Sequence, residues 1–475
     1  MSSFNVLDAI GSWTAHSGPL YRRLATAIQA AIARDDLPPG TVLPPERELS
    51  RQLSVGRSTV VAAYDLLRAD GLIVSRRGSG TWVSGAERGS SKAPPRESLR
   101  GAALDSETTV LDLATASMPA APLLRDAIAE MNGELLERLL TRVGYSSLGL
   151  LELRRAVADR LSLDGLPTAP EQVLITTGGQ QALALITEYS LGRAPGGDYA
   201  VVEDPTSPGV LDLLRNRAVT VRSAQSFSGY GATPLLESVG RSAPSLVYIY
   251  GSLGPEGRQP ATVEAHRLIS GLRGFSGVLV DDSSSRPLVF GEPSPYLASL
   301  TKEITVMTVG SMSKVFWGGL RVGWIRGDEN VIGRLARLKA RADLGTPLLS
   351  QMVSAWLLPH LPEVAAQRVA ELHANLDLAE AAVSAELPEF AWSRPDGGVS
   401  MWLHMPWGAA GPFTELARRH GVAVVPGTLL SPGGHSDASI RLSLTASPAV
   451  LEQGVRRLAS AWAEYSRGSS PVNLQ

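Results

Sequence analysis

The sequence predicts an α/β protein made of a small N-terminal module and a large domain with a mainly parallel sheet. From Val110 onward, apolar strand-like runs alternate with Ala- and Leu-rich helical stretches, a pattern typical of parallel strands covered by helices. Residues 86–109 are rich in Gly, Ser, Pro and charge and have no periodicity, which indicates a linker. We therefore expect one domain over residues 18–85 and another over residues 110–475.

Composition narrows the classes of function. The 475 residues include no cysteine, which excludes disulfides, thiolate metal sites and cysteine nucleophiles, and we expect no metal site. The sequence has no signal-peptide pattern and no apolar run of membrane-spanning length, so we expect a cytoplasmic protein that does not enter a membrane. The formal net charge of −2 is unpromising for a nucleic-acid binder, but residues 1–85 hold nine Arg against seven acidic residues.

The N-terminal module has the element order of a winged helix-turn-helix. Apolar residues recur at helical spacing over Leu20–Arg34, and Pro44 and Pro45 open a second helix. A tight turn precedes a third helix, which starts at Ser58 or its neighbour and ends before Gly71. Two short strand-like runs, at 72–74 and 80–83, then flank a basic tip. Helix, helix, turn, helix and hairpin in this order define the winged motif.

Several polar and basic residues of this module suit a DNA duplex. The start of the third helix would present side chains to the major groove, where Arg can bond guanine in bidentate fashion. The start of the second helix would meet a phosphate, and the wing tip pairs charge with a Gly that permits close approach. An isolated Arg is most often solvated surface, whereas the ordered set favours double-stranded DNA. The predicted contacts are Arg47, Arg57, Ser58, Thr59, Arg77 and Gly78.

This module resembles the GntR-type winged helix-turn-helix family over about Leu20–Val83. The run LPPGTVLPPERELSRQLSVGRSTVVAAYDLLRADGLIVSRRGSGTWV follows the family pattern almost throughout. The resemblance implies an operator-binding domain with the six contacts given above. Val61 departs from the pattern, because some members carry a further Arg there, which implies fewer phosphate contacts.

Lysine scarcity isolates one candidate amine in the large domain. The chain has four Lys and forty Arg. Lys92 falls in the linker, and Lys302 and Lys339 lie in charged stretches that we expect to be exposed. Lys314 instead follows the apolar run Ile304–Val309 within Gly-Ser-Met-Ser-Lys, and an Arg comes seven positions later. A Lys at a strand end with hydroxyls and a nearby Arg suits a phosphate-bearing carbonyl cofactor held as a Schiff base.

Three further segments agree with such a cofactor. Gly178 and Gly179 lie between a strand and a helix, where backbone N–H groups can bind an anion. Asp281 and Asp282 end a buried strand, and one of them could hold a protonated pyridine nitrogen. Arg441 lies in a strand-like run, where its planar fork could bind a carboxylate.

Taken together, these residues resemble the fold-type I aminotransferase superfamily over about Val110–Ala463, which depends on pyridoxal 5'-phosphate (PLP). The resemblance implies that Lys314 forms the Schiff base, that Asp281 pairs with the pyridine nitrogen and that Arg441 clamps an effector carboxylate. It implies a homodimer in which Tyr145 reaches the phosphate of the neighbouring subunit. It also implies phosphate ligands at Gly178, Gly179, Gln180, Ser311 and Arg321. A GntR-type module joined to this fold is the MocR-type regulator architecture.

The departures from that pattern concern the cofactor ring. Ser207 stands where the family usually places an aromatic residue, and Ser283 replaces the Tyr that normally bonds the phenolic oxygen. Residues 251–257 lack the usual polar partner for the same oxygen. Each lost contact costs about 1–3 kcal/mol, which disfavours efficient transamination more than it disfavours binding.

These observations favour a transcriptional regulator that senses PLP and a small amino compound. Two alternatives stay open from the sequence. One is a working aminotransferase with a DNA-binding appendage, and the other is a regulator whose degenerate pocket no longer binds PLP.

Overall fold

A computed structural model describes most of the chain and divides it into two compact units, Met1–Arg96 and Glu97–Gln475. The described residues are 6–10, 13, 19–33, 36–37, 41–69, 72–76, 80–83, 110–131, 134–141, 143–191, 198–217, 219–434 and 436–468. The predicted linker, 86–109, and the predicted wing tip, Arg77 and Gly78, lie outside them.

The first unit has four helices and three short strands among its described residues. The helices are α1 Val6–Ile10, α2 Leu20–Ala33, α3 Glu46–Gln52 and α4 Arg57–Ala69, and the strands are β1 Val42–Leu43, β2 Ile73–Arg76 and β3 Gly80–Val83. Strand β3 pairs antiparallel with both β1 and β2. The winged helix-turn-helix prediction is confirmed, and β1 is an addition, since two residues are too few to give a pattern.

Helix α4 is held by one apolar face. Val60, Ala63, Tyr64 and Leu67 recur at helical spacing and are completely buried. The Tyr64 hydroxyl donates a hydrogen bond of 2.8 Å to the Pro44 carbonyl, just before α3. Burial of this face fixes α4 against the module and leaves its N-terminal residues on the surface.

The second unit is organised around a seven-stranded sheet. Its strand order is β5-β11-β10-β9-β8-β6-β7. Strand β11 runs antiparallel to both neighbours, β5 and β10, and the remaining pairs are parallel. The prediction of an α/β fold with a mainly parallel sheet is confirmed. The strands are β5 Val173–Thr176, β6 Tyr199–Asp204, β7 Thr220–Gln225, β8 Leu246–Ile249, β9 Val278–Asp282, β10 Thr305–Ser311 and β11 Gly323–Arg326.

Helices cover both faces of this sheet, and a smaller sheet follows it. Strand order β12-β15-β14 forms the smaller sheet, and β4 pairs with β13. The short strands are β4 Leu111–Asp112, β12 Ser400–His404, β13 Val422–Ala423, β14 Val425–Pro426 and β15 Ser439–Ser443. The helices are α5 Leu124–Ala129, α6 Glu134–Leu140, α7 Leu151–Leu163, α8 Gly179–Ser190, α9 Pro208–Asn216, α10 Phe227–Tyr230, α11 Thr233–Ser242, α12 Thr262–Gly271, α13 Glu329–Asp343, α14 Leu348–Leu357, α15 Leu361–Glu386, α16 Ala410–Arg419 and α17 Pro448–Gly468.

Side-chain alternation along the central strands decides what each face carries. Val280 and Val309 pack in the cluster that contains α8, whereas Leu279 and Val306 pack in the cluster that contains α11 and α12. The carboxyl ends of β6, β8 and β9 point to one edge of the sheet, where ligands bind in α/β folds. None of the helices described has the length and hydropathy needed to cross a membrane.

Candidate functional site

A cavity of about 240 Å³ lies at the carboxyl edge of the central strands. Residues far apart in sequence contribute to its wall, and they come from the ends of β9 and β10, the start of α8 and strand β15. Among the residues predicted for a cofactor or effector, those on the wall are Gly179, Gln180, Ser311, Lys314, Arg321 and Arg441. The fold therefore brings together most of the set that the sequence singled out.

Lys314 enters this cavity from the turn that follows β10. Its Nζ donates a hydrogen bond of 2.9 Å to the Ala116 carbonyl. Before it, Ser311 and Ser313 are joined by a hydrogen bond of 3.0 Å between their Oγ atoms. An amine and two hydroxyls thus leave one strand end together, as the Ser-x-Ser-Lys spacing predicts.

The corner that the sequence predicts to bind an anion is built by α8 and Arg321. Gly178 caps α8 with φ 99° and ψ 174°, a conformation that is essentially restricted to glycine. A Cβ at Gly178 would lie 3.1 Å from Nη2 of Arg321. Arg321 itself adopts a left-handed conformation with φ 52°, and its Nη2 donates a hydrogen bond of 2.6 Å to the Thr177 carbonyl. Both backbone outliers serve to bring a guanidinium beside the N-terminus of a helix, where an anion is stabilised.

The two carboxylates at the end of β9 point to opposite faces of the sheet. Asp282 lies on the cavity wall and accepts a hydrogen bond of 2.7 Å from the Tyr248 hydroxyl. Asp281 is completely buried and accepts hydrogen bonds from the Ser283 hydroxyl, at 2.8 Å, and from the Leu297 N–H, at 3.2 Å. Burial raises the pKa of Asp281 to about 6, and these hydrogen bonds oppose the rise. Asp281 is not on the cavity wall, so its predicted pairing with a pyridine nitrogen stays a prediction.

Tyr250 occupies part of the wall where the sequence departs from the family pattern. Its ring meets that of Tyr248 edge to face at 5.4 Å, and its N–H donates a hydrogen bond of 2.5 Å to Glu203 Oε2. Ser207 also lies on the wall, near Tyr250. Ser283 instead bonds Asp281. The aromatic and phenolic side chains of this corner therefore come from β8 and the residue after it, not from positions 207 and 283.

Arg441 projects from β15 into the same cavity. Its Nη2 donates a hydrogen bond of 2.7 Å to the Ala114 carbonyl, and its Nε is buried with no hydrogen-bond partner among the described residues. Burial lowers the pKa of Arg441 to about 10, against the influence of Tyr250 and Asp112, so the side chain stays cationic at neutral pH. Carbonyl groups of residues 114 and 116 thus hold both Arg441 and Lys314.

Tyr145 and Lys339 both lie away from the wall of the Lys314 cavity. Tyr145 does not line the cavity of its own chain and is 71% exposed, so its predicted role towards a second subunit stays a prediction. The expectation that Lys339 is exposed was wrong. Its side chain is completely buried and bonds Asp343 and Gln181 at 2.6–2.9 Å. The error has a physical cause, because Gln181 belongs to α8 and a charged helical stretch gives no sign of a distant partner.

Lys339, Asp343 and Gln181 form a cluster that also contacts the predicted anion-binding corner. Gln181 Oε1 accepts a hydrogen bond of 2.9 Å from the Thr177 N–H. The Thr177 carbonyl in turn accepts the hydrogen bond from Arg321 Nη2. Asp343 in turn accepts a hydrogen bond of 3.0 Å from the Gly345 N–H. Burial lowers the pKa of Lys339, and the contact with Asp343 opposes that change.

In the first unit, the predicted DNA contacts lie at the starts of α3 and α4. Arg47, Arg57 and Ser58 are exposed and Thr59 is half-buried. Nη2 of Arg57 lies 3.5 Å from a carboxylate oxygen of Glu46, with 65% of the Arg57 side chain exposed. An exposed pair of this kind contributes little to stability, so Arg57 can exchange Glu46 for a ligand at small cost.

Sequence reasoning missed several wall residues of the cavity. Ser284 and Ser285 were not singled out, although they come two and three positions after Asp282. Strand alternation would have predicted that Asp282 and Ser284 share one face. Tyr250 carried a weaker signal, as an aromatic residue at the end of a buried strand.

The two parts of the molecule define a class, a winged helix-turn-helix unit joined to a fold-type I aminotransferase-like unit. The comparisons with known proteins agree. The chain belongs to the aminotransferase class I and II family, whose model matches residues 109–458, and residues 20–83 match the gntR family of bacterial regulatory proteins. A chain that joins these two parts is a regulator of the MocR type, with an aminotransferase-like domain.

The chain is similar to regulators over most of its length and to an aminotransferase over its second unit. The chain is 28% identical to the HTH-type transcriptional regulator YisV of Bacillus subtilis over 93% of this chain and 95% of that protein. It is 30% identical to the probable rhizopine catabolism regulatory protein MocR of Rhizobium meliloti over 65% of each chain. The second unit is similar to the crystal structure of LysN, the alpha-aminoadipate aminotransferase of Thermus thermophilus, complexed with N-(5'-phosphopyridoxyl)-L-leucine. The TM-score is 0.67, with 29% identity over 75% of this chain and 93% of that chain.

Proposed function

We propose that the Lys314 cavity of this regulator binds PLP, together with an amino compound that acts as effector. The observation that supports this most is one cavity wall holding Lys314, Ser311 and Arg321 beside the N-terminus of α8. The phosphopyridoxyl ligand of the similar LysN structure agrees with the proposal. The GntR domain implies DNA binding, and we propose that ligands of the Lys314 cavity regulate this binding.

The phosphate end of PLP fits the residues present. Gly178 leaves room for the Arg321 guanidinium, and a Cβ there would press against it. The hydroxyl of Ser311 and the N–H groups that open α8 add donors of the kind that bind a phosphate. We propose Gly178, Gly179, Gln180, Ser311 and Arg321 as this phosphate site.

The residues present fit the pyridine ring of PLP less completely than they fit its phosphate, and catalysis depends on how firmly the ring is held. PLP supplies a carbonyl that an amine can hold covalently, and Lys314 is the one Lys on the cavity wall. Asp282 lies on the wall, whereas the resemblance favours Asp281, so both carboxylates are candidates for the pyridine nitrogen. Ser207 and Ser283 cannot provide the stacked ring and phenol that hold the cofactor in the family. A ring held by fewer contacts supports sensing better than efficient transamination.

The two ligands would act on the segment that holds two cationic side chains. PLP would take Lys314 as its covalent amine, and an amino acid would place its carboxylate on Arg441. Both side chains donate to carbonyls of residues 114 and 116, so ligands that take them would release this segment. In sequence, residues 114 and 116 come shortly after the predicted linker, 86–109, which itself follows the DNA-binding unit. Ligand binding at the cavity would therefore change the position of the chain at the C-terminal end of the linker. Such a change would couple the two units, as a two-state regulator requires.

DNA binding would use the exposed starts of α3 and α4. Arg57, Ser58 and Thr59 would read base edges, Arg47 would contact a phosphate, and Arg77 and Gly78 complete the proposed set. Aminotransferase-like domains of this family typically oligomerise, and a homodimer would pair two such units on an operator with two half-sites. Tyr145 would then reach the phosphate of the second subunit. We also propose a cytoplasmic location, because the N-terminal unit would bind DNA.

A titration with PLP tests the proposal. The wild-type chain is expected to bind PLP with a visible absorbance change, Lys314→Ala to lose that change, and Lys302→Ala to keep it. Lack of binding by the wild type would contradict the proposal and favour a degenerate pocket. Incubation of the PLP complex with a panel of amino acids then separates sensor from enzyme, because conversion to the aminated cofactor would identify a working transaminase.

A further inference from the structure

A second cavity of about 230 Å³ lies on the other side of β10 from most of the Lys314 cavity wall. The C-terminal end of α7, the segment after β9 and the start of α15 enclose it. Thr308 and Gly310 point towards it, whereas Val309 between them packs towards α8. Ser284 and Ser311 contribute to both cavities.

Two buried polar atoms on this wall have no hydrogen-bond partner in the described part of the chain. They are Oγ1 of Thr308 and Nε1 of Trp324, in residues that are 1% and 8% exposed. The Trp324 ring lies on Gly310, where a Cβ would come within 2.5 Å of Nε1. A buried donor without an acceptor costs about 1–3 kcal/mol, and an indole N–H can only donate. The wall therefore offers a hydrogen bond to a ligand that brings an acceptor.

Arg286 adds a buried positive charge to the same wall. Its residue is 8% exposed, and its guanidinium carbon lies 4.0 Å from the centroid of the Tyr296 ring. Nη1 donates to the Ser294 carbonyl, and no carboxylate of the described residues lies within 4 Å of the guanidinium. Asp281 acts on it from farther away but is bonded to Ser283 and the Leu297 N–H.

The neighbouring Arg160 differs from Arg286. Its guanidinium pairs with both carboxylate oxygens of Asp164, so its charge is already compensated. The rest of the wall is largely apolar and includes Leu161, Met312 and Leu361. A guanidinium without a close counter-ion in such surroundings attracts a carboxylate, because charges withdrawn from water require a partner.

We propose that this second cavity binds a small aromatic monocarboxylate. The carboxylate would pair with Arg286, the ring would pack on the apolar wall, and an oxygen on the ring would accept from Trp324. The site is separate from the Lys314 cavity and does not depend on PLP. Through Ser284 and Ser311, its occupant would touch two segments that also form the Lys314 cavity.

Calorimetric titration of the full chain with 4-hydroxyphenylacetate, without PLP, tests the proposal. Saturable binding with one site per chain is expected, and the uncharged 4-hydroxyphenylacetamide should bind about tenfold or more weakly. Arg286→Met should weaken 4-hydroxyphenylacetate binding about tenfold or more, and Trp324→Phe, which keeps the ring but removes the donor, at least about threefold. Arg215→Met, an exposed site on α9, should bind as the wild type does.

Several outcomes would overturn the proposal. They are an absence of saturable binding, equal affinity for acid and amide, or wild-type affinity in both Arg286→Met and Trp324→Phe. A loss in Arg441→Met with full binding in Arg286→Met would place the probe in the Lys314 cavity and would also overturn it. Should Arg286→Met fail to fold, the Trp324→Phe result decides. Failure of PLP binding leaves this test unaffected, so the two proposals fail independently.

Discussion

Replacement of Gly178 by alanine tests the anion-binding corner most sharply. At φ 99° and ψ 174°, Gly178 occupies a backbone region that an L-residue enters at a cost of about 1–3 kcal/mol. A Cβ would also lie 3.1 Å from Nη2 of Arg321 and 3.4 Å from its Cζ. The loop can avoid both penalties only by turning its peptide groups, which moves the N–H donors and the guanidinium together.

The expected result is a selective loss of affinity for the phosphate group. If a relaxed loop gives up about 1–3 kcal/mol of phosphate interaction, PLP binding weakens about fivefold to 150-fold. Dephosphorylated pyridoxal, which makes no contact with this corner, should bind equally well to wild type and variant. The assay is equilibrium dialysis of both compounds, with the free energy of unfolding in urea measured in parallel.

A second glycine provides the matched control. Gly333 lies within α13, and an added Cβ would meet no atom within 4 Å beyond its chain neighbours and the backbone of its own helix. Alanine at this helical position should leave PLP binding unchanged and stabilise the unit by up to about 1 kcal/mol. If Gly178→Ala binds PLP as tightly as Gly333→Ala does, the corner is not the phosphate site and the reasoning is refuted.

Three further predictions concern DNA, pH and a buried ion pair. Arg57→Ala should weaken operator binding, measured by fluorescence anisotropy on a selected genomic fragment, by about 1–3 kcal/mol relative to Arg51→Ala, and equal affinities would contradict a base contact. Burial raises the pKa of the Glu203 carboxyl from 4.5 to about 8, so between these pH values the native state keeps a proton that the unfolded state loses. The free energy of unfolding should therefore fall as the pH rises from 4.5 to about 8, by at most about 5 kcal/mol. Glu203→Gln should flatten this slope in urea unfolding between pH 5 and pH 8, and parallel slopes would count against the assignment. Lys339→Met should lower the free energy of unfolding by about 2–4 kcal/mol, with Lys302→Met as control, and no difference between them would show that the buried cluster is dispensable.

The central strands were predictable because they are buried in the sheet, and buried strands appear in the sequence as continuous apolar runs. The run Ile304–Val309 corresponds to β10 at Thr305–Ser311, and Gly277–Asp281 corresponds to β9 at Val278–Asp282. Strand β1 has two residues and gives no periodic signal. The antiparallel direction of β11 was not visible either, since strand direction depends on how the chain returns to the sheet and not on local pattern.

The candidate site was predictable where one short motif holds several of its residues. The turn Ser311–Lys314 and the start of α8 each place neighbouring residues on one wall, so spacing alone brought them together. The contacts of Arg441 and Lys314 with residues 114 and 116 join segments about 200–330 positions apart, and no local pattern reports such pairs. The second cavity could not be predicted either, because Thr308, Trp324 and Arg286 come together only in the folded chain.

Covalent mapping of PLP tests the central claim most directly. Borohydride reduction of the full chain with PLP fixes any cofactor held by an amine, and peptide mass spectrometry locates it among four lysines and the N-terminus. We expect one phosphopyridoxyl group on Lys314, lost in Lys314→Ala, with Lys92, Lys302 and Lys339 unlabelled. An unlabelled Lys314, or equal labelling of Lys302, would contradict the assignment of Lys314 as the amine that holds PLP.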